Sequence, residues 1–362
     1  MNPHDYRRRS YDLTEEQVEV RDAFTEFFQK NVPTARVRAA EPLGFDADLW
    51  KQAAAIGVTG MAVPEHAGGD GAGLVEMTLV AEAIGRTLAP VTAIEHIVAT
   101  RLLAATGDED VAELLGKALT GERVLGLALR PLTGRQLVSG AAVAQDLVAF
   151  DGGRLVIASG SREHVPTQAS MPFAWVDPAG ESLRPISTVG SAAAMFDRAQ
   201  REWKVLTAAA LAGLTASALE LAVEFVKSRE TMGTIVGKLQ GVQFPLADVH
   251  TGVVATRNLA RRAAWFLDNE PDAERGLPFE AIAYAAHVAS TGTAIAAHAQ
   301  GGLGFIGEAD ASLYFLRAKG WSLGAGDVAD DLRAAGREAL AVRRGRRGLP
   351  QAHRTSTAPT TV

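Results

Sequence analysis

The sequence predicts a mainly α-helical protein with a small β domain set between two helical regions. Three observations carry this. Apolar residues recur at helical spacing through residues 12–120 and again from Arg198 to about Arg347. Between them, from Glu122 to Asp197, short apolar runs alternate with Gly, Asp and Arg. The chain of 362 residues, 47% hydrophobic and 22% charged, is also long enough to bury a large core without staples.

Residues 1–121 make up the first helical region. Thr14, followed by Glu15 and Glu16, predicts a capped helix start with acid in its first turn. Val18, Phe24, Phe27 and Phe28 supply its apolar face. A second helix is expected at about Asp46–Ala55, with Leu49, Trp50 and Ala53 on one side. Residues 60–73, GMAVPEHAGGDGAG, read as a loop. Their GGDGAG lacks the flanking strand and lysine of a phosphate loop, so a helix-linking turn is the stronger reading. Helix resumes at Leu74 with LVEMTLVAEAIGRTL, and again around His96–Ala105 and Glu109–Leu119.

Residues 122–197 change texture. VLGLALRPL, LVSGAAVAQDLVAF and RLVIAS predict strands, with Asp151-Gly152-Gly153 placed for a hairpin. Residues 198–347 return to helix. Within VLTAAALAGLTASALELAVEFVKSRE, Val205–Leu219 lacks a strong polar face, which predicts burial on several sides. Residues 348–362, GLPQAHRTSTAPTTV, are expected to be a disordered tail. No internal repeat is visible.

Composition narrows the function. With 36 basic and 42 acidic residues, the net charge of −6 argues against a nucleic-acid partner. The absence of cysteine removes disulfides, thiolate metal sites and a cysteine nucleophile. No apolar run follows the basic N-terminus, so no signal peptide is expected. The longest stretch free of Asp, Glu, Lys and Arg, Ala281–Gly307, carries His287, Ser290, His298 and Gln300. That polar load fits a buried bundle helix better than a membrane span. A cytoplasmic location without a membrane partner is the expectation. HExxH, GxSxG and GxxxxGK[ST] are missing, and the 8 histidines show no metal-ligand spacing, so no metal site is expected.

Three segments go further. GMAVPEHAGGDGAGLVEMTLVAEAIGR resembles a P-E-x-x-G-G-x-G loop and its following helix. SRETMGTIVGKLQGVQFPLADV, residues 228–249, resembles an R-x-x-F-G segment that ends in L-A-D. AHAQGGLGFIGEADASLYFLRAK, residues 297–319, resembles Q-x-x-G-G-x-G-(F/Y)-x-x-E with a later R-(D)-A. Together with the helix–β–helix order, over about residues 12–345, these resemble the acyl-CoA dehydrogenase family. The resemblance implies an α-helical N-terminal domain, a central β-barrel-like domain and a C-terminal four-helix bundle, assembled as tetramers built from pairs of dimers. The implied chemistry is α,β-dehydrogenation of an acyl-CoA thioester, with a carboxylate taking the α-proton and FAD taking the β-hydride. FAD then lies across a dimer interface. One subunit holds its ring, and the neighbour's bundle grips its pyrophosphate and adenosine portion. An electron-transfer flavoprotein or similar acceptor is implied as a partner.

By the same resemblance, Arg229 pairs with the FAD pyrophosphate, where a fixed cation suits a diphosphate. Met232 stands at the usual Phe position, and Gln240 matches the family Gln as a hydrogen-bonding partner. Gly301 and Gly302 match the pair that lets backbone approach the cofactor. His298 replaces the family Gln, and Gln300 sits two residues later; either would supply a polar contact.

The flavin-ring side departs from the pattern. In place of T-E-P-x-A-G-S-D the chain has LGLALRPLTGRQLV, with Arg130-Pro131 near the Glu-Pro position. The base position of E-G-T is Ala325, within Ala325-Gly326-Asp327. The minority base position holds Trp203, followed by Lys204. Neither is a carboxylate. Three readings stay open. A displaced base, Asp327 or Glu202, would make a self-sufficient homotetramer. A flavin-free structural paralogue is another reading. The third, which is the expectation, is a non-catalytic subunit of an α2β2 tetramer that completes the FAD site of a paralogous catalytic subunit. GGLGFIGE…LYFLRA resembles the short, base-lacking subunits of actinobacterial steroid side-chain degradation. A steroid side-chain or fatty acyl-CoA is the implied substrate.

Overall fold

The computed structural model describes residues 7–8, 10–231 and 233–346. The tail predicted over 348–362 lies outside the described residues. Helix α1 (Glu15–Asn31) starts at a capping box. Thr14 Oγ1 accepts the Gln17 N–H at 3.2 Å, and Gln17 Oε1 accepts the Thr14 N–H at 3.1 Å. A short helix that the periodicity did not single out, α2 (Thr34–Ala39), follows Pro33. In α3 (Ala47–Ala55), Asp46 caps the first turn and also binds Arg36, while Leu49, Trp50 and Ala53 are buried as expected. After the loop come α4 (Leu74–Thr87), α5 (Ala93–Thr106) and α6 (Ala112–Leu119).

The strands are β1 (Leu125–Leu127), β2 (Gln136–Val138), β3 (Asp146–Phe150), β4 (Leu155–Ser159), β5 (Ala174–Val176) and β6 (Ser182–Pro185). They form a four-stranded sheet in the order β1-β3-β4-β6 and a separate β2-β5 pair. The pairing of β1 with β3 is parallel; the other pairings are antiparallel. The hairpin lies where Asp151-Gly152-Gly153 placed it: Phe150 faces Leu155, and Asp151 Oδ1 accepts the N–H of Gly153 and Arg154. LVSGAAVAQDLVAF is not one strand. Gly140 has φ 77°, and its carbonyl accepts the N–H of Val143 and Ala144, so a turn separates β2 from β3.

The long helix α7 (Ala192–Ser228) begins earlier than the Arg198 start that the pattern suggested, and strand structure ends at Pro185 rather than near Asp197. Ser191 accepts the Ala194 N–H, and Ala192–Ala194 are strong helix formers, so the first turn needs no apolar face. A hairpin of β7 (Glu230–Thr231) and β8 (Thr234–Ile235) leads to α8 (Gln240–Asn269), α9 (Leu277–Ala299), α10 (Asp310–Trp321) and α11 (Val328–Arg346).

Helix α7 is the axis of the molecule, packing on α4, α8 and α9, while α10 and α11 lie against α9. Val205–Ala216 is buried on all sides. Its crossing with α4 is backbone on backbone. A Cβ on Gly85 would run into the Ala210 carbonyl, and one on Gly213 into the Glu82 carbonyl. By length and composition Ala192–Ser228 could cross a membrane, but 89% of its most apolar window is buried inside the protein.

His96 joins the helical and strand regions. Its Nδ1 accepts the Leu125 N–H at 3.0 Å, and its Nε2 donates to the Ala118 carbonyl at 3.1 Å. Complete burial lowers its pKa from 6.5 to about 4. The unfolded chain therefore binds a proton first. This contribution to stability is full above pH 6.5 and is lost as pH falls toward 4, by about 3 kcal/mol. Urea unfolding across that range is expected to show the slope in wild type and to lose it in His96→Gln.

Candidate functional site

An open groove of about 1120 Å³ lies where the C-terminal ends of α7 and α9 meet the start of α8 and the turn Gly301–Phe305. It brings together Arg229, His298, Gln300, Gly301 and Gly302. Gln240 is exposed at the first position of α8, beside groove-lining Gly241. Met232 lies outside the described residues.

The groove suits an anion with an apolar body. Arg229 is exposed and forms no ion pair among the described residues. The first turn of α8 has no side-chain cap, which leaves its N–H groups and positive dipole end for a ligand. A Cβ added to Gly301 or Gly302 would meet nothing within 4 Å, so the protein itself does not fill the space above them. Phe225, Val236, Pro245 and Ile295 form apolar walls. This donor set fits the diphosphate of FAD. Around the rim, Leu239, Phe244, Leu303, Phe305 and Ile306 are large and exposed, Phe244 and Phe305 by 61% and 62%. Apolar exposure of this extent marks an interaction surface.

The two family base positions lie elsewhere. Trp203 is 1% exposed and lines a small interior cavity of about 50 Å³, walled also by Glu95, Ser139, Thr207, Arg317 and Trp321. Ala325 is partly buried on the loop before α11. From Trp203 to Arg229 is about 39 Å along α7 at 1.5 Å per residue. The groove therefore stands at the C-terminal end of one rigid helix, and the interior cavity in that helix's N-terminal third.

Neither displaced-base candidate faces that cavity. Glu202 is 3% exposed, and its carboxylate is held by Arg101 at 3.0 Å and Arg198 at 2.8 Å. Both arginines also reach Asp268, whose pKa burial raises and Arg101 opposes; Asp268 in turn accepts the Leu74 N–H. Asp327 is exposed and accepts the Ala329 N–H at the start of α11. Lys204 is paired with Asp331 at 2.7 Å.

Sequence reasoning missed the exposed rim residues Leu303, Phe305 and Ile306, whose apolar character looked like core. It also missed Glu95, although a lone acid inside the apolar run AIEHIVA was a signal.

The family profile described as acyl-CoA dehydrogenase, N-terminal domain, matches residues 14–122, and that described as acyl-CoA dehydrogenase, C-terminal domain, matches residues 201–338. The chain is 25% identical over 308 residues to benzylmalonyl-CoA dehydrogenase of Aromatoleum aromaticum, covering 71% of this chain and 80% of that one. It is 28% identical over 331 residues to acyl-CoA dehydrogenase FadE27 of Mycobacterium tuberculosis, covering 81% and 88%. Among solved structures, the steroid ACAD Tcur3481-Tcur3483 in its G363A variant superposes with TM-score 0.80 at 25% identity, covering 91% of this chain and 99% of that one. The ChsE4-ChsE5 complex of Mycobacterium tuberculosis has the same fold, with TM-score 0.82 at 22% identity and coverage of 91% and 99%. So has PigA with FAD and proline, with TM-score 0.81 at 19% identity and coverage of 92% and 100%.

Glu202→Gln is expected to destabilise the fold by about 3 kcal/mol, because it strips the counter-charge from two arginines. Urea unfolding checks this. Unchanged stability would contradict the structural role of Glu202.

Proposed function

The chain belongs to the acyl-CoA dehydrogenase family, and we propose that it is the non-catalytic subunit of an α2β2 assembly, completing an FAD site shared with a base-bearing paralogue. One observation carries this reading. The groove around Arg229 lies about 39 Å along α7 from Trp203 and the interior cavity, so a cofactor seated in the groove would serve a neighbouring chain.

In this reading Arg229 supplies a fixed positive charge to the diphosphate, and its planar guanidinium suits bidentate contact. Gln240, His298 and Gln300 offer hydrogen bonds, and Gly301 and Gly302 keep side chains out of the way. When bound, FAD supplies the hydride acceptor for α,β-dehydrogenation of an acyl-CoA thioester. No carboxylate occupies Ala325 or Trp203, so the partner's glutamate takes the α-proton. The exposed apolar rim is the surface that meets the partner.

The substrate class follows by likeness. Likeness to a steroid ACAD favours a bulky acyl group, such as a steroid side-chain acyl-CoA. ChsE4-ChsE5 is a two-component complex, and likeness to it supports a two-component assembly here. An electron-transfer flavoprotein or similar carrier would accept the electrons, in the cytoplasm. The displaced-base reading is disfavoured because Glu202 is ion-paired and Asp327 caps a helix. The flavin-free reading is disfavoured by the open, cationic groove.

Arg229→Ala, in the complex copurified with its partner, is expected to weaken FAD retention at least tenfold while leaving the unfolding of the isolated chain unchanged. Equal flavin content in wild-type and variant complexes would overturn the assignment.

A further inference from the structure

The interior cavity is small for a reason that can be traced to individual atoms. The Trp203 indole Nε1–H donates to Glu95 Oε1 at 3.4 Å. Ser139 Oγ donates to the same oxygen at 2.9 Å, and Thr92 Oγ1 donates to Oε2 at 3.3 Å. Glu95 is 5% exposed. Its carboxylate thus binds α7 to the turn after β2 and to the residue before α5. The benzo edge next to Nε1 is also constrained. A Cβ on Gly324 would stand 2.9 Å from Trp203 Cζ2 and 3.2 Å from Cη2. The loop carrying Ala325 therefore passes close against that edge of the ring. Trp321 closes a further wall by donating its Nε1–H to the Ala169 carbonyl at 3.3 Å.

We propose that Trp203 is a plug: its indole fills the space between the two family base positions, Glu95 pins it there, and an acyl group is excluded from this chain's interior. The proposal deepens the subunit reading and rests on it for the identity of the cavity. A void of about 50 Å³ is too small for an acyl chain. Truncating the indole would enlarge it to the order of 150 Å³, the size that takes a benzene-sized group. Binding of the thioester in the assembly is then confined to the base-bearing partner. Trp203 and its pin are what make the two kinds of subunit unequal, rather than the missing carboxylate alone.

The test uses the full chain alone, without flavin, titrated calorimetrically with butyryl-CoA and separately with indole. Wild type is expected to bind butyryl-CoA with a Kd weaker than about 1 mM. Trp203→Ala and the milder Trp203→Leu are expected to bind it at least tenfold more tightly. Saturable binding to wild type as tight as to the variants would overturn the proposal. So would variants that take up indole but not butyryl-CoA, since Trp203 would then be ordinary core. If Trp203→Ala does not fold, Trp203→Leu and the wild-type titration still decide. Because no flavin is present, failure here is distinct from unchanged flavin retention in Arg229→Ala.

Discussion

The structure depends on the crossing of α4 and α7. Gly85 sits against the Ala210 carbonyl and Gly213 against the Glu82 carbonyl, so the two helices meet without intervening side chains. Such contact fixes both the separation and the rotation of α7, since a methyl group at either glycine has nowhere to go. Ala208, Ala209, Ala210 and Ala212 serve the same close packing. Once α7 is locked, its N-terminal third and its C-terminal end are locked too, and both carry the residues on which function turns.

In the N-terminal third of α7 stand Glu202, Trp203 and Lys204. All three are buried and tied to two other helices: Glu202 to Arg101 and Trp203 to Glu95, both of α5, and Lys204 to Asp331 of α11. Paired charges in this interior cost their desolvation and hold position rather than supply chemistry. At the C-terminal end, Arg229 follows the last turn of α7 and lies exposed in an open groove. One helix therefore joins a filled, rigid interior to an open groove where the Arg229 guanidinium has no ion pair among the described residues. That asymmetry is the physical content of the subunit reading.

Much of this was legible in the sequence. The Thr14 cap, the Asp151 hairpin and the burial of Val205–Leu219 on several sides follow from local rules that need only neighbouring residues. Arg229, His298, Gln300, Gly301 and Gly302 were found by motif, and the fold gathers them around one groove. What was not legible depends on distant partners. Trp203 was visible as a departure, but its hydrogen bond to Glu95 spans 108 positions. Leu303 and Phe305 look like core residues in any window, and only the fold leaves them exposed. The onset of α7 was missed because Ser191 and three alanines set it without any apolar periodicity.

The most direct measurement is the FAD-to-protein ratio of the folded chain purified alone and after mixing with a base-bearing family member. The account predicts a ratio near zero for the chain alone and flavin retention only in the mixed assembly. One FAD per chain in the isolated protein would contradict it, because a complete flavin site would then be built without a partner.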